Sequence, residues 1–444
     1  MRESVFEVLR REGLNHLEIH LDWKSDRFIL YSAREWDPET DFSQYNKRFS
    51  VFTLRATDGR FYNSRETVAL FAKHDLIGHL DKIKTLMRKG RHVLLDCYDN
   101  EKLGIRFTNH IHNDKRGLNN LHSSLLMGGI RRHEPDEDEI DVFIDGMNLG
   151  RSMTFKNIMA GLPMGGCKIT VQMAPVDLEN LQQIGFLAFA NDRTRNTAGP
   201  DMRFPPELTD VIKAYFSLNF TGGPKGPLGP TGTPTAHGTY VAVKQAARFL
   251  WGSDSLRGKN IAVQGLGAVG FPLAEDYIRE GARLIVSDID PARTRELLEK
   301  NPDAAIEVVD PSAILGVEAD IFSPCAEGGV LHQKNIPDLK FKIIMGGANN
   351  VLKASGQEDE YALADKLAAS GILYQVDWVH NIGGVMAGYE EYIHQKNASV
   401  TRLMDKVGNL CAEKTWENLN EAKREGITPT KRAYLSVERE IYGE

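Results

Sequence analysis

Between about residues 256 and 377, short apolar runs at 261–264, 284–287, 306–309, 321–323, 343–345 and 373–376 alternate with stretches whose apolar residues return at helical spacing. That alternation predicts a parallel, doubly wound sheet. Immediately upstream, residues 221–238 read TGGPKGPLGPTGTPTAHG. Such density of Gly and Pro predicts no regular element there, but a crossing between domains or a loop shaped around a ligand. Beyond Asn381 the pattern turns to long helices at 385–394 and 399–424, of a kind that packs back across a domain boundary. Residues 1–13 form an amphipathic helix pattern. The rest of the first hundred residues mixes helix-like and strand-like segments, and Trp23, Tyr31, Trp36, Tyr45, Phe49 and Phe52 read there as aromatic core.

A chain of 444 residues exceeds one ordinary core, so two domains are predicted, or three. Hydrophobic and charged contents of 41% and 26% are those of a soluble globular protein. No apolar run approaches the ~18 residues of a membrane helix, and the N-terminus lacks the apolar centre of a secretory signal, so a cytoplasmic location is expected. Cys97, Cys167, Cys325 and Cys411 are widely spaced with no CxxC pair, which points to reduced thiols and to no zinc or other metal site. A net charge of -7 argues against a nucleic-acid partner. The acidic run at 134–141 reads as a solvated loop leading into a helix N-terminus, with a divalent cation as the alternative.

Two segments carry chemistry. Gly265-x-Gly267-x-x-Gly270 lies between a strand and a helical pattern at 268–280, the context in which this motif binds a dinucleotide. Gly265 permits the tight turn, Gly267 lets backbone amides approach a pyrophosphate, and Gly270 lets helix and strand pack closely. Asp288 follows 18 residues after Gly270, where an acid accepts hydrogen bonds from a ribose and repels a 2'-phosphate, favouring NAD over NADP. Pro272 is discordant, because it removes an amide early in the helix. The second segment, MTFKNIMAGLPMGGCK at 153–168, brackets a glycine turn with Lys156 and Lys168. Two such lysines are either surface snorkelers or, if one is desolvated, a base whose ammonium gives up its proton near neutral pH.

Read together, these segments resemble the glutamate/leucine/phenylalanine/valine dehydrogenases over about three quarters of the chain. The shared features are MGGIR at 127–131, MTFKN at 153–157, LPMGGCK at 162–168, GPDM at 199–202, TAHG at 235–238, GLGAVG at 265–270, PCA at 324–326, GANN at 347–350 and NIGGV at 381–385. The resemblance implies an α/β fold of two domains around a cleft: residues 1–220 for substrate, catalysis and oligomerisation, a Rossmann-type NAD domain at 221–380, and C-terminal helices at 381–444 packing back toward the first domain. It implies oxidative deamination of an L-amino acid to a 2-oxo acid and ammonium. Lys156 falls where the family binds the substrate α-carboxylate, Lys168 on the lysine that activates water, and Asp201 on the aspartate that shuttles protons. Gly128, Gly129, Met127, Gly199, Val385 and Gly388 fall around the substrate, and Gly265, Gly267, Ala268, Val269, Gly270, Asp288, Ala326, Asn349 and Thr235 around the cofactor.

Members that use glutamate carry a lysine at the position of Met127, so a neutral apolar or aromatic substrate is expected, the glycines at 199 and 388 leaving volume for a bulky side chain. Cys167 replaces a glycine of leucine-type members and would be strained if the backbone there needed positive φ. Residues 113–127 look longer than their counterpart, and the first 110 or so look larger than the usual start. A homo-oligomer is implied, with no membrane partner. Two other readings remain: an imine or 2-oxo acid reductase using another amine, and a non-catalytic NAD-binding regulatory protein.

Overall fold

The computed structural model describes residues 3–46, 56–117, 126–354 and 356–443. Phe49 and Phe52, and most of the long segment before Met127, lie outside the described residues. The chain divides into two compact units, Met1–Asn157 with Leu162–Gly229 and Glu391–Asn397, and Ile158–Gly161 with Pro230–Glu390 and Ala398–Glu444.

The first unit is built on a mixed sheet in the order β3-β2-β1-β4-β5-β8-β6-β9, with β7 also pairing with β8. Its elements are α1 (Val5–Arg11), β1 (His16–Asp22), β2 (Arg27–Ala33), β3 (Phe61–Tyr62), α2 (Ser64–Lys73), α3 (Ile77–Gly90), β4 (Leu94–Asn100) and β5 (Ile105–Gly117). There follow β6 (Leu126–Met127), β7 (Ile130–His133), α4 (Glu139–Met159), β8 (Met164–Gln172), α5 (Leu181–Arg193), β9 (Asn196–Thr197) and α6 (Pro206–Tyr215). Alternation along β1 sends Leu17, Ile19 and Leu21 to a core shared with Phe6, Leu9, Ile83 and Met87. On the opposite face Tyr98, Phe107, Ile169 and Val171 pack with Phe186 and Phe189 of α5. Trp36 and Tyr45 join that core as read from the sequence, whereas Trp23 and Tyr31 are only half-buried.

The acidic run does lead into a helix. Asp138 accepts from the amides of Ile140 and Asp141 at the start of α4, while Glu139 is buried and accepts from the Ser4 hydroxyl and the Val5 amide. Glu134 and Glu137 are tied to Arg132, His133 and Arg203.

The second unit holds a six-stranded, wholly parallel sheet in the order β12-β11-β10-β13-β14-β15. Its elements are α7 (Gly232–Trp251), β10 (Asn260–Gln264), α8 (Gly270–Glu280), β11 (Arg283–Ser287), α9 (Pro291–Lys300), β12 (Ile306–Val308), β13 (Ile321–Pro324) and β14 (Ile343–Ile344). Then come α10 (Gln357–Ala369), β15 (Leu373–Tyr374), α11 (Gly383–His394), α12 (Val400–Glu425) and α13 (Pro429–Tyr442). Both sheet faces are covered, which explains the continuous apolar runs. Ile261, Val263, Leu284 and Val286 face one way, toward α7 and α8, and Ala262, Phe322, Ile344 and Tyr374 the other, toward α10.

One reading is corrected. The segment at 221–238 was expected to be irregular throughout, yet α7 begins at Gly232. Pro234 lies in its first turn, where an amide has no intrahelical acceptor, so a proline there costs no hydrogen bond. The same reason removes the discord of Pro272, third residue of α8. Helix α12 packs along α7, and Gly238 allows the approach: a Cβ there would stand 2.8 Å from Cys411 Sγ. Among the described residues no helix is long and apolar enough to cross a membrane.

Candidate active site

In the first unit the sheet brings Lys168, Asp201, Gly129 and Gly199 together. Strand β7 runs parallel to β8, pairing Ile130 with Ile169, and the chain after β9 lies along β7 through Ile130 N to Gly199 O (2.9 Å) and Asp201 N to Ile130 O (3.0 Å). Asp201 thereby meets Lys168 of β8, whose Nζ stands 2.5 Å from Asp201 Oδ2. Lys168 is 5% exposed, so it is not a surface snorkeler. A Cβ on Gly129 would lie 3.2 Å from Lys168 Nζ and 3.4 Å from the Asp201 Cβ, so a side chain there would crowd the pair. Met127 is buried and pairs with Gly166 and Thr197 across its neighbours. At Gly199 an added Cβ would meet only Thr221, at 3.5 Å, leaving room for about one more methyl group. Lys156 is half-buried on α4, two residues beyond Thr154, where helix and strand press so closely that a Cβ on Gly166 would fall 2.1 Å from the Thr154 nitrogen.

A guanidinium completes the cluster. Arg131 Nε donates to Asp201 Oδ2 at 3.0 Å, and Arg131 Nη1 reaches both oxygens of Asp145 on α4 at 3.0 and 3.1 Å. Burial would raise the Asp201 carboxyl, but Lys168 and then Arg131 outweigh it and hold the acid well below the usual carboxylate range. A poorly hydrated ammonium beside an ionised carboxylate is an arrangement suited to moving protons.

In the second unit the glycine turn follows β10. Gly265 has φ of +87°, a left-handed conformation that suits glycine, and a Cβ built there would stand 2.9 Å from the Ala326 Cβ. A Cβ on Gly270 would sit 1.9 Å from the Gly265 carbonyl oxygen, so α8 packs on the turn only with glycine there. Nothing lies within 4 Å of a Cβ built on Gly267, and Gly267 and Ala268 are exposed just before the N-terminus of α8. Asp288, at the end of β11, accepts the Leu266 amide at 2.6 Å through Oδ2 and the Asp290 amide at 2.8 Å through Oδ1.

Ala326 follows β13 and Asn349 follows β14, at the same carboxyl end of the sheet as the glycine turn. Asn349 Oδ1 accepts from Asn381 Nδ2 at 3.1 Å, and Gly383 fits against the backbone of Pro234 and Thr235, where a Cβ would fall 2.2 Å away. Among the described residues the amide oxygens of Gln264 and Asn381 are buried acceptors with no protein donor. The left-handed turn, the exposed Gly267 and Ala268 before α8 and the acid after β11 have the geometry of a dinucleotide-binding turn. Val385 and Gly388 share one side of α11, three residues apart.

Residues 229–439 match the sequence model of the Glutamate/Leucine/Phenylalanine/Valine dehydrogenase family. Leucine dehydrogenase of Geobacillus stearothermophilus is 33% identical over 359 residues, which cover 78% of this chain and 90% of that enzyme. The chain belongs to this family. It is an amino acid dehydrogenase. Phenylalanine dehydrogenase of Caldalkalibacillus thermarum is 32% identical over 76% of this chain and 90% of its own. The crystal structure of L-tryptophan dehydrogenase from Nostoc punctiforme superposes with a TM-score of 0.64 at 28% identity, over 80% of this chain and 98% of that one.

Within this dehydrogenase the backbone at Cys167 does not need positive φ, so the cysteine is tolerated without strain. Cys167 lies in β8 opposite Ile111, outside the positive-φ residues, and its thiol donates to Asn196 Oδ1 at 3.1 Å. Burial pushes that thiol up to about 12, so it stays protonated and inert. The intolerant position is its neighbour across the turn, Gly128, where a Cβ would stand 1.9 Å from the Cys167 carbonyl oxygen. Sequence reasoning missed Arg131 and Asp145 as members of the cluster. Arg131 lay inside the MGGIR motif and was available to it, whereas Asp145 carried no local signal.

Proposed function

We propose that this amino acid dehydrogenase catalyses NAD-dependent oxidative deamination of a neutral apolar or aromatic L-amino acid, giving the 2-oxo acid, ammonium and NADH, and runs in reverse as reductive amination. The observation that carries the reading is the buried contact between Lys168 Nζ and Asp201 Oδ2. When bound, the nicotinamide supplies the acceptor for the hydride leaving the α-carbon. Gly265, Gly267, Ala268, Val269, Gly270 and Asp288 are the residues that would hold the dinucleotide, with Ala326, Asn349 and Thr235 on its nicotinamide side. Asp288 favours NAD, because a carboxylate there opposes a 2'-phosphate.

The chain's own residues account for the rest. Lys156 offers a cation to the α-carboxylate. Lys168, once its ammonium has given up a proton, takes one from the water that attacks the substrate's iminium carbon, and Asp201 carries protons to and from the departing amino nitrogen. The low hydration of Lys168 strengthens both exchanges. Met127 places no charge at the substrate's side chain, so a substrate carboxylate there would be desolvated without a partner, at roughly several kcal/mol. The names of the relatives, leucine, phenylalanine and tryptophan dehydrogenases, agree with an apolar side chain. Gly199, Val385 and Gly388 complete the proposed side-chain site, and Gly128 and Gly129 admit the substrate backbone. Assembly as a homo-oligomer belongs to the same proposal.

A screen of the common L-amino acids with NAD and with NADP, following the absorbance of reduced nicotinamide, tests it. The reading requires turnover of one or more apolar or aromatic amino acids with NAD, and ammonium-dependent oxidation of NADH with the matching 2-oxo acid. Absence of turnover across the panel with NAD binding intact would overturn it, and activity with an amine other than ammonium would replace it.

A further inference from the structure

The Lys168 and Asp201 pair does not stand alone. Asp201 Oδ2 receives two cations, Lys168 Nζ at 2.5 Å and Arg131 Nε at 3.0 Å. The far edge of the same guanidinium is held by Asp145, whose two oxygens lie 3.0 and 3.1 Å from Nη1. Beyond Asp145 the alternation of charge continues to His133 Nε2 at 3.3 Å, from His133 Nδ1 to Glu137 Oε2 at 2.8 Å, and from Glu137 Oε1 to Arg203 Nη1 at 3.2 Å. Arg203 is two residues from Asp201, so the chain of charges closes on itself through the backbone.

We infer that Asp145 is a positioning residue for the reaction: by holding Nη1 of Arg131 it fixes the direction from which Nε meets Asp201 and so keeps that carboxylate in place beside Lys168. The inference rests on the deamination reading. Its physical basis is the fork of Arg131. A guanidinium is a rigid planar fork, so a second contact at Nη1 fixes the direction in which Nε points. With Asp145 on Nη1, the plane is pinned at that nitrogen while Nε reaches Asp201 Oδ2. Helix α4 is held where it can do this because two glycines bring it onto β5. A Cβ on Gly146 would lie 2.2 Å from the His110 ring, and one on Gly150 would lie 2.6 Å from the His110 carbonyl oxygen. Residue 110 is the register partner of Lys168. Asp145 is therefore fixed relative to the strand that carries the lysine, although it is one-third exposed and touches neither Lys168 nor Asp201 in the hydrogen-bond pattern.

The groups facing this network are Lys168 and Arg131 at Asp201, Arg131 and His133 at Asp145, and Glu137 with Asp145 at His133. Removing the Asp145 charge takes an anion away from beside Arg131, so ionisations of the catalytic pair move to lower pH. Asp145→Asn is expected to lower kcat by about 10- to 100-fold with KM for the amino acid within about twofold, and to move the pH profile of kcat to lower pH. Asp145→Glu, which keeps the charge, recovers part of the loss. A crystal structure of Asp145→Asn should show the Arg131 guanidinium displaced and its 3.0 Å Nε contact with Asp201 Oδ2 lengthened, a readout that needs no turnover. An unmoved guanidinium, or a variant with wild-type kcat and pH profile, would overturn the inference. Failure of the deamination reading is seen separately, as a wild-type protein that turns over no amino acid, and the position of Arg131 in the variant still decides the role of Asp145.

Discussion

Lys168 and Asp201 come from segments 33 positions apart in the chain and meet at 2.5 Å only because the stretch after β9 is laid along β7, which in turn pairs with β8. The pair is thus built by three adjacent backbone paths, and either member can be removed without unmaking the sheet. Lys168→Ala should lower kcat by at least about 10²- to 10⁴-fold, the range of a lost acid-base group. NAD affinity, measured by fluorescence titration, should stay within a few-fold, because the dinucleotide residues lie in the other unit. Loss of NAD binding would show that Lys168 has been given the wrong role.

The glycines of the 265–270 turn separate folding from binding. Gly267 has open space around an added Cβ, whereas Gly270 abuts the Gly265 carbonyl oxygen at 1.9 Å. Gly267→Ala should therefore leave the thermal midpoint nearly unchanged while weakening NAD, since the methyl occupies the side from which a pyrophosphate approaches. Gly270→Ala should lower stability by about 1–3 kcal/mol whether or not NAD is added, as α8 is pushed off β10. Equal effects of the two substitutions in a thermal melt would refute the assignment.

These same features explain what could be read in advance. The parallel sheet was legible because strands buried on both faces are written as short, uninterrupted apolar runs, and the turn because Gly265 and Gly270 answer local backbone needs. The meeting of Lys168 and Asp201 was legible only from the spacing of several motifs read together. The start of α7 was hidden because Gly232 and Pro234 are poor helix formers that a first turn tolerates. The N-terminal strands were hidden because β1 turns His16 and Glu18 to one face, where they meet Asp96 of β4, so a polar network interrupts the usual signature. Asp145 was hidden for a different reason: its link to Arg131 joins a helix to a strand, and no periodicity encodes that contact.

Met127 sets the sign of the substrate's side chain. It is 4% exposed, so a lysine there has little water to reach. Met127→Lys should admit acidic amino acids, raising kcat/KM for glutamate relative to the best apolar substrate by about 10²-fold or more, and should lower stability in the absence of substrate by a few kcal/mol. Unchanged selectivity in steady-state assays would place Met127 outside the substrate site.

Buried histidines of opposite character bound the pH range of stability. Burial, with Arg151 adding to it, lowers His92 to about 3, and burial holds His110 and His112 well below their ordinary value, so all three are neutral in the fold. Burial also opposes the charge on His16, but Asp96 and then Glu35 outweigh it and raise that residue to about 9. Unfolded histidines titrate near ~6.5. For the neutral group the unfolded chain binds protons first, so their contribution is complete above ~6.5 and is lost as pH falls from there toward 3, at up to about 1.4 kcal/mol per pH unit for each residue. For His16 the folded chain holds the proton more tightly, so its contribution is complete below ~6.5 and disappears as pH rises through 9. Urea unfolding across a pH series should show greatest stability between these limits. His16→Gln should flatten the alkaline fall, and His92→Leu should shallow the acid one. An alkaline limb unaffected by His16→Gln would mean that His16 is not held as a cation between Asp96 and Glu35.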